Sequence, residues 1–92
     1  MNLTELGSLL RVSEGFIHTV NGSPVGYLVP STVIPESCWP VRLKGMQRTA
    51  RVAQAGLPTI EQYTVNDRQK LEVAYYPYHV TLRLLENDDA RI

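Results

Sequence analysis

Residues 15–30 read GFIHTVNGSPVGYLVP and place the pair Asn21-Gly22 between two runs rich in β-branched and aromatic residues. This pattern predicts a β-hairpin over about residues 15–29. The reason is that a type I′ turn requires positive φ at both central positions, which Asn and Gly tolerate better than other residues.

The two-residue loop also predicts which residues of the hairpin face one another. Counting outward from the turn gives the pairs Val20–Ser23, Thr19–Pro24, His18–Val25 and Phe16–Tyr27. One apolar face should then carry Phe16, His18, Val20, Val25, Tyr27 and Val29. We expect His18 to be a core imidazole on this face. Because proline donates no backbone hydrogen bond, Pro24 indicates an edge strand.

Upstream of the hairpin, residues 2–12 predict a short helix. Asn2 is a favourable N-cap, and Glu5 stands three positions later, as in a capping box. The apolar residues that should share one face are Leu3, Leu6, Leu9 and Leu10. Gly7 costs about 1 kcal/mol relative to alanine in a helix, so this helix needs a surface to pack on.

Downstream of the hairpin, residues 44–55 (KGMQRTARVAQA) predict a central helix. Ala, Gln, Arg and Met favour a helix, and Gly56 would end it. The stretches VRLK and TARVAQ in residues 41–54 are also compatible with strands, so a strand remains the alternative for this region.

The last third of the chain predicts an antiparallel meander over residues 59–85. Its strands are expected at 59–65, 70–76 and 78–85. Apolar and polar residues alternate in the last two, which indicates one buried and one wet face. Residues 86–92 (ENDDARI) predict a polar tail. The fold class is therefore α+β, and the 92 residues should form a single domain.

Composition narrows the classes of function. The chain has 43% hydrophobic residues, equal numbers of basic and acidic residues, and one cysteine, which indicates a folded domain without an internal disulfide. No stretch is long enough for a membrane helix and no signal segment is visible, so we expect a cytoplasmic protein with no membrane partner. No phosphate loop, nucleophile elbow or zinc-ligand spacing occurs, which predicts no catalytic residue, metal or cofactor.

The neutral total charge conceals an uneven distribution. Residues 37–60 contain no acidic residue, whereas the segments before and after them each carry a net charge of −2. The candidate contacts to a protein partner or nucleic acid are the four basic residues of this middle segment, Arg42, Lys44, Arg48 and Arg51. In a helix over 44–55, the last three would form one stripe that could contact nucleic acid or an acidic protein surface. The alternative is a solvated face paired with the protein's own acids.

Tyrosines are the second unusual feature of the composition. Four of the five lie within 16 residues of one another, at Tyr63, Tyr75, Tyr76 and Tyr78. Neighbouring strand residues point to opposite faces of a sheet, so Tyr75 and Tyr76 cannot both face the same layer. These tyrosines are candidates for a protein interface; the alternative is that the N-terminal helix covers the second face.

The helix and hairpin over about residues 2–30 resemble the N-terminal domain of the Phd/YefM antitoxin family. The family's hairpin reads roughly I-T-x-x-G-x-P-V-A-x-L-V-P, and IHTVNGSPVGYLVP matches it without a gap. The matching residues are Thr19, Gly22, Pro24, Val25, Leu28, Val29 and Pro30. The resemblance implies a homodimer that binds operator DNA and neutralises a toxin with its C-terminal part.

Three functional hypotheses follow, all of them non-enzymatic. The first is an antitoxin-like regulator that binds and neutralises a protein partner, with DNA as a second ligand. The alternative is a small phage-type inhibitor or adaptor that blocks a host nucleic-acid-processing complex by protein–protein contact. The third is a structural subunit in which strand 70–76 or 78–85 pairs with the sheet edge of a neighbour.

Overall fold

The computed structural model describes residues 1–86, so most of the predicted polar tail lies outside the described residues. The elements along the chain are α1 (Leu3–Leu10), a 3-10 turn (Glu14–Phe16), β1 (Ile17–Val20), β2 (Ser23–Pro30), a second 3-10 turn (Glu36–Cys38), α2 (Trp39–Arg42), β3 (Gln47–Val52), β4 (Thr59–Asn66), β5 (Gln69–Tyr75) and β6 (His79–Glu86). Within the described residues, six strands form one antiparallel sheet in the order β1-β2-β6-β5-β4-β3. The predicted combination of short helices and antiparallel sheet is confirmed, with sheet as the larger part.

The N-terminal helix α1 begins as predicted. Asn2 Oδ1 accepts a hydrogen bond from the amide of Glu5 at 2.8 Å, and a Glu5 carboxylate oxygen accepts one from the amide of Asn2 at 3.4 Å. This is the reciprocal capping box. Leu6 and Leu10 are fully buried, but Leu9 is about half exposed, so the apolar face is narrower than predicted.

Gly7 lies on the buried face of α1, where the chain approaches the sheet closely. A Cβ at this position would overlap the phenol of Tyr27 on β2. The Tyr27 hydroxyl donates a hydrogen bond to the carbonyl of Leu3, and the ring is only 1% exposed. The glycine that weakens the isolated helix therefore makes room for the contact that holds it on the sheet.

The predicted hairpin turn is confirmed. Asn21 has φ of 53° and Gly22 has φ of 81°, as a type I′ turn requires. The pairs nearest the turn, Val20–Ser23 and Thr19–Pro24, are also as predicted.

Beyond Thr19 the predicted register is wrong, because the hairpin contains a β-bulge. His18 pairs with Gly26 instead of Val25, and Ile17 rather than Phe16 lies opposite Tyr27. Val25 is the extra residue, which a simple outward count does not include. His18 consequently lies on the face of the sheet opposite the buried Tyr27, so the expectation of a core imidazole is also wrong.

The prediction that β2 is an edge strand is wrong as well. β2 lies between β1 and β6, and only its residues 26–30 pair with β6. Pro24 lies outside that range, where a missing amide hydrogen leaves no gap in the β2–β6 pairing.

The predicted central helix over residues 44–55 is wrong. Residues 47–52 form β3, an edge strand of the described sheet that pairs with β4. Most residue types differ in helix propensity by less than about 0.7 kcal/mol, so pairing along β4 and side-chain contacts outweigh that preference. Gly56 has φ of 80° and lies in the connection between β3 and β4 rather than at a helix end.

The meander predicted over residues 59–85 is confirmed as β4, β5 and β6. Both β5 and β6 lie inside the sheet with a paired strand on each side. Neither offers a free edge, so the hypothesis that 70–76 or 78–85 pairs with a neighbour's sheet edge is contradicted.

One face of the sheet is more buried than the other, as the alternation of apolar and polar residues predicts. The covered face packs against α1 and the α2 segment, and its buried residues include Leu6, Leu10, Tyr27, Val29, Trp39, Leu43, Leu71, Val73, Val80 and Leu82. The other face is not covered by α1. Across residues 1–86, no helix has both the length and the apolar character needed to cross a membrane.

Candidate functional site

A groove of about 760 Å³ lies where β3, β4 and β5 approach the α2 segment on the covered face. It is lined by Glu36, Ser37, Pro40, Leu43, Lys44, Met46, Arg48, Arg51, Thr59, Glu61, Tyr63 and Tyr75. We refer to it as the Glu61 groove. Of the predicted contact residues, Lys44, Arg48, Arg51, Tyr63 and Tyr75 line this groove, and all of these except Lys44 contact the Glu61 carboxylate.

Glu61 on β4 is the centre of this groove and is only 7% exposed. Its Oε1 accepts hydrogen bonds from the hydroxyls of Tyr63 and Tyr75, each at 2.9 Å. Its Oε2 accepts one from Nη1 of Arg48 at 2.9 Å and lies 3.7 Å from Nε of Arg51. Both carboxylate oxygens are therefore satisfied, which removes most of the free-energy cost of burying the charge.

These contacts set the protonation of the cluster. Burial alone would raise the pKa of Glu61, but the hydrogen bonds from Tyr75, Tyr63 and Arg48 and the charge of Arg48 outweigh it, so the pKa lies below its usual value. Burial raises the pKa of Tyr63 to about 12, and the hydrogen bond to the Glu61 carboxylate adds to the increase. Burial and the same carboxylate also raise the pKa of Tyr75. At neutral pH the cluster consists of an ionised glutamate and two neutral phenols.

A β-bulge places both arginines in the groove. Arg48 pairs with Tyr63 and Arg51 pairs with Glu61, while Thr49 is the extra residue between them. Residues three apart in a regular strand point to opposite faces, and the bulge compensates for this by adding one position. The predicted stripe of basic residues thus exists in part, although a bulged strand and not a helix produces it.

The arginine side chains retain binding capacity. The side chains of Arg48 and Arg51 are each about half exposed. A guanidinium carries five N–H donors. Of these donors, only Nη1 of Arg48 and Nε of Arg51 contact Glu61, so the others are available to a ligand. Lys44 lines the same groove, so three cations face the two carboxylates of Glu36 and Glu61. The groove therefore has an excess of one positive charge and oriented donors for an anion.

Arg42, the fourth basic residue of the predicted set, does not line the groove. Its Nη1 donates hydrogen bonds to the carbonyls of Leu10 and Arg11, at 2.7 and 2.9 Å. These carbonyls lie at the C-terminal end of α1, where a cation interacts favourably with the helix dipole. The guanidinium also lies 5.8 Å from the ring centroid of Trp39. Arg42 thus links α1 to α2.

The four candidate tyrosines separate into three environments. Tyr63 and Tyr75 lie in the Glu61 groove, whereas Tyr76 follows β5 and stacks on His79 with the ring centroids 4.6 Å apart. Tyr78, between β5 and β6, is 84% exposed. Tyr75 faces the Glu61 groove and Tyr76 does not, as expected, although both tyrosines line a neighbouring hollow around Leu57.

Sequence reasoning missed Glu61, the residue that organises the groove. The signal that could have found it is its position on β4, where Glu61, Tyr63 and Val65 alternate with outward-facing residues and the glutamate occupies an inward position. A carboxylate on the inward face of a strand requires partners, and the acid-free segment 37–60 immediately before it contains two of them, Arg48 and Arg51.

The groove is poorly suited to acid–base chemistry. Three hydrogen bonds and the ion pair with Arg51 hold the Glu61 carboxylate, and phenols with raised pKa values donate protons reluctantly at neutral pH. Among residues 1–86, no group of three or more His, Cys, Asp and Glu side chains is placed to hold a metal ion. The arrangement instead holds Arg48 and Arg51 at a concave surface, where an anion could contact both guanidinium groups.

Comparison of the chain with protein-family models, with curated proteins and with solved structures found no match.

Proposed function

We propose that this chain is a non-enzymatic, cytoplasmic interaction protein that binds an acidic segment of a protein partner through the Glu61 groove. The observation that supports this most directly is the pair Arg48 and Arg51, held side by side by a nearly buried carboxylate. Arginines oriented in this way lose less side-chain freedom on binding a carboxylate than free surface arginines do.

A protein is the favoured partner over a nucleic acid. The carboxylates of Glu36 and Glu61 lie in the same groove as the cations, and they would repel the closely spaced phosphates of a nucleic-acid backbone. A single acidic side chain can contact Arg48 and Arg51 without meeting this repulsion.

The resemblance of the helix and hairpin over residues 2–30 to antitoxins supports an antitoxin-like regulator. Its partner would be a toxin, and its active species would be a homodimer. The alternative is a small phage-type inhibitor or adaptor that docks on an acidic patch of a host nucleic-acid-processing complex. The Glu61 groove suits both, because it recognises an acidic surface and not a particular protein.

Affinity purification from the native host, followed by measured binding of the identified partner, tests the proposal. The double variant Arg48→Gln/Arg51→Gln should weaken binding of that partner at least about tenfold, because it removes two charged hydrogen-bond donors. Arg68→Gln, in the exposed turn between β4 and β5, is the matched control and should bind like the wild type. Unchanged binding by the double variant, or a gel shift of duplex DNA that it abolishes, would contradict the proposal.

A further inference from the structure

We infer that the segment recognised by the groove combines one acidic side chain, bound at Arg48 and Arg51, with one large apolar side chain, bound in a pocket beside Leu57. This inference rests on the proposed function and adds the chemistry of the ligand to it. The ligand is a short peptide segment of a partner protein and not a run of acidic residues.

The Glu61 groove continues into a second hollow of about 550 Å³. Glu36, Thr59 and Tyr75 line both hollows, so the two form one continuous depression. The other lining residues of the second hollow are Gly56, Leu57, Pro58, Tyr76 and Pro77. We refer to it as the Leu57 pocket.

The Leu57 pocket is suited to an apolar side chain. Leu57 is 61% exposed, and Pro58, Tyr76 and Pro77 surround the same space, so apolar side chains make up most of this wall. In the loop that carries Leu57, Gly56 turns the chain with a positive φ. The amide of Leu57 donates a 3.1 Å hydrogen bond to the carbonyl of Gln54, which closes this turn. A partner side chain entering here would remove this exposed apolar surface from water.

The charges along the depression explain why one acidic side chain is favoured over several. The cations Arg48, Arg51 and Lys44 line only the Glu61 groove, whereas the carboxylate of Glu36 lines both hollows. An acidic side chain at the arginines is therefore attracted, but a second one nearer the Leu57 pocket would meet Glu36. The depression thus favours a peptide with one acidic residue over a peptide with several, because the arginines attract the first carboxylate and Glu36 repels a second one.

Side-chain recognition is favoured here over addition of a strand to β3. The edge of β3 is interrupted by the bulge at Thr49 and carries Arg48 and Arg51, and both bulges and charged side chains are features that prevent strand pairing at sheet edges. At the β3 end of the sheet, the depression formed by the two hollows is thus the favoured surface for a peptide.

Selection of a random twelve-residue peptide library against the full chain tests the inference and does not require the natural partner to be identified first. We expect the enriched peptides to contain one Asp or Glu at a fixed spacing from a Leu, Ile, Met or aromatic residue. In direct binding of a synthetic selected peptide, Leu57→Ser should weaken affinity about fivefold, as expected for loss of apolar contact. Arg48→Gln/Arg51→Gln should weaken it about tenfold, and Arg68→Gln should leave it unchanged.

The outcomes separate this inference from the function on which it rests. Enrichment of acidic runs, with binding that depends on Arg48 and Arg51 but not on Leu57, would overturn the inference and leave the proposed function intact. Apolar peptides whose binding ignores the arginine variants, or no enrichment at all, would overturn both. Leu57→Ser changes an exposed loop residue, so its effect on affinity does not depend on refolding of the core.

Discussion

Gly7 on α1 leaves open the space that the phenol of Tyr27 on β2 occupies, and a Cβ at this glycine would overlap the Tyr27 hydroxyl. Gly7→Ala should therefore lower the free energy of unfolding by about 1–3 kcal/mol, because displacement of a buried ring outweighs the gain of about 1 kcal/mol in helix propensity. Urea denaturation at neutral pH measures this difference.

The Tyr27→Phe background provides the control for this substitution. Without the hydroxyl oxygen, the added methyl group meets less obstruction, so Gly7→Ala should cost clearly less in Tyr27→Phe than in the wild type. Equal cost in both backgrounds would show that the Gly7–Tyr27 contact is not the cause.

Glu61→Gln tests the acid side of the stability profile. The substitution removes the charge that Arg48 and Arg51 share, and it should lower the free energy of unfolding at neutral pH by about 1–3 kcal/mol. The pKa of Glu61 is lower in the folded chain than its ordinary value of 4.5. The ionised carboxylate therefore stabilises the fold fully above pH 4.5, and this stabilisation is lost as the pH falls through the pKa of the folded state. The difference between wild type and Glu61→Gln should therefore shrink below pH 4.5. A control, Arg68→Gln in an exposed turn, should keep a free energy of unfolding close to that of the wild type at neutral pH.

Tyr63→Phe tests the alkaline side. The pKa of Tyr63 is raised from 10 to about 12 in the folded chain, so its stabilising contribution is complete below pH 10 and is lost as pH rises toward 12. In this interval the wild type should lose about 1.4 kcal/mol more per pH unit than Tyr63→Phe. Chemical denaturation at successive pH values measures both slopes, and parallel slopes would mean that folding does not raise the pKa of Tyr63.

Arg42→Gln distinguishes a structural arginine from a ligand-binding one. The substitution removes the hydrogen bonds to Leu10 and Arg11 and the cation above Trp39, so it should lower the free energy of unfolding by about 1–2 kcal/mol. Partner or peptide affinity, measured below the unfolding transition, should equal that of the wild type. A loss of affinity without a loss of stability would place Arg42 in the binding surface after all.

The features that sequence predicts correctly are those encoded by neighbouring residues. Asn21-Gly22 can adopt the positive φ values of a type I′ turn wherever the hairpin lies, and Asn2 with Glu5 satisfies the first amides of a helix without help from the rest of the fold. The alternation in residues 70–85 likewise reports the difference between a covered and an open face. Each of these signals is contained in a single turn, helix start or strand of fewer than about ten residues.

The features that sequence reasoning missed depend on pairing between distant segments. The bulge residues Val25 and Thr49 carry no local signal, yet each changes which side chains share a face. Residues 47–52 have a composition compatible with a helix, and only β4 beside them makes the strand the more stable choice. The buried carboxylate of Glu61 is stabilised by hydrogen bonds from Arg48, thirteen positions earlier, and from Tyr75, fourteen positions later.

The position of β6 in the middle of the sheet has a consequence for the synthesis of the chain. β6 joins the meander to the hairpin, and its first residue, His79, pairs with Pro30, about fifty positions earlier. Bringing such distant segments together costs more chain entropy than forming contacts within the hairpin or the meander. On the ribosome, α1 and the hairpin therefore emerge long before the strand that completes their sheet. Until β6 has left the exit tunnel, the inward residues Tyr27 and Val29 lack their neighbours Val80 and Leu82, and this interval is when the nascent chain most needs protection from aggregation.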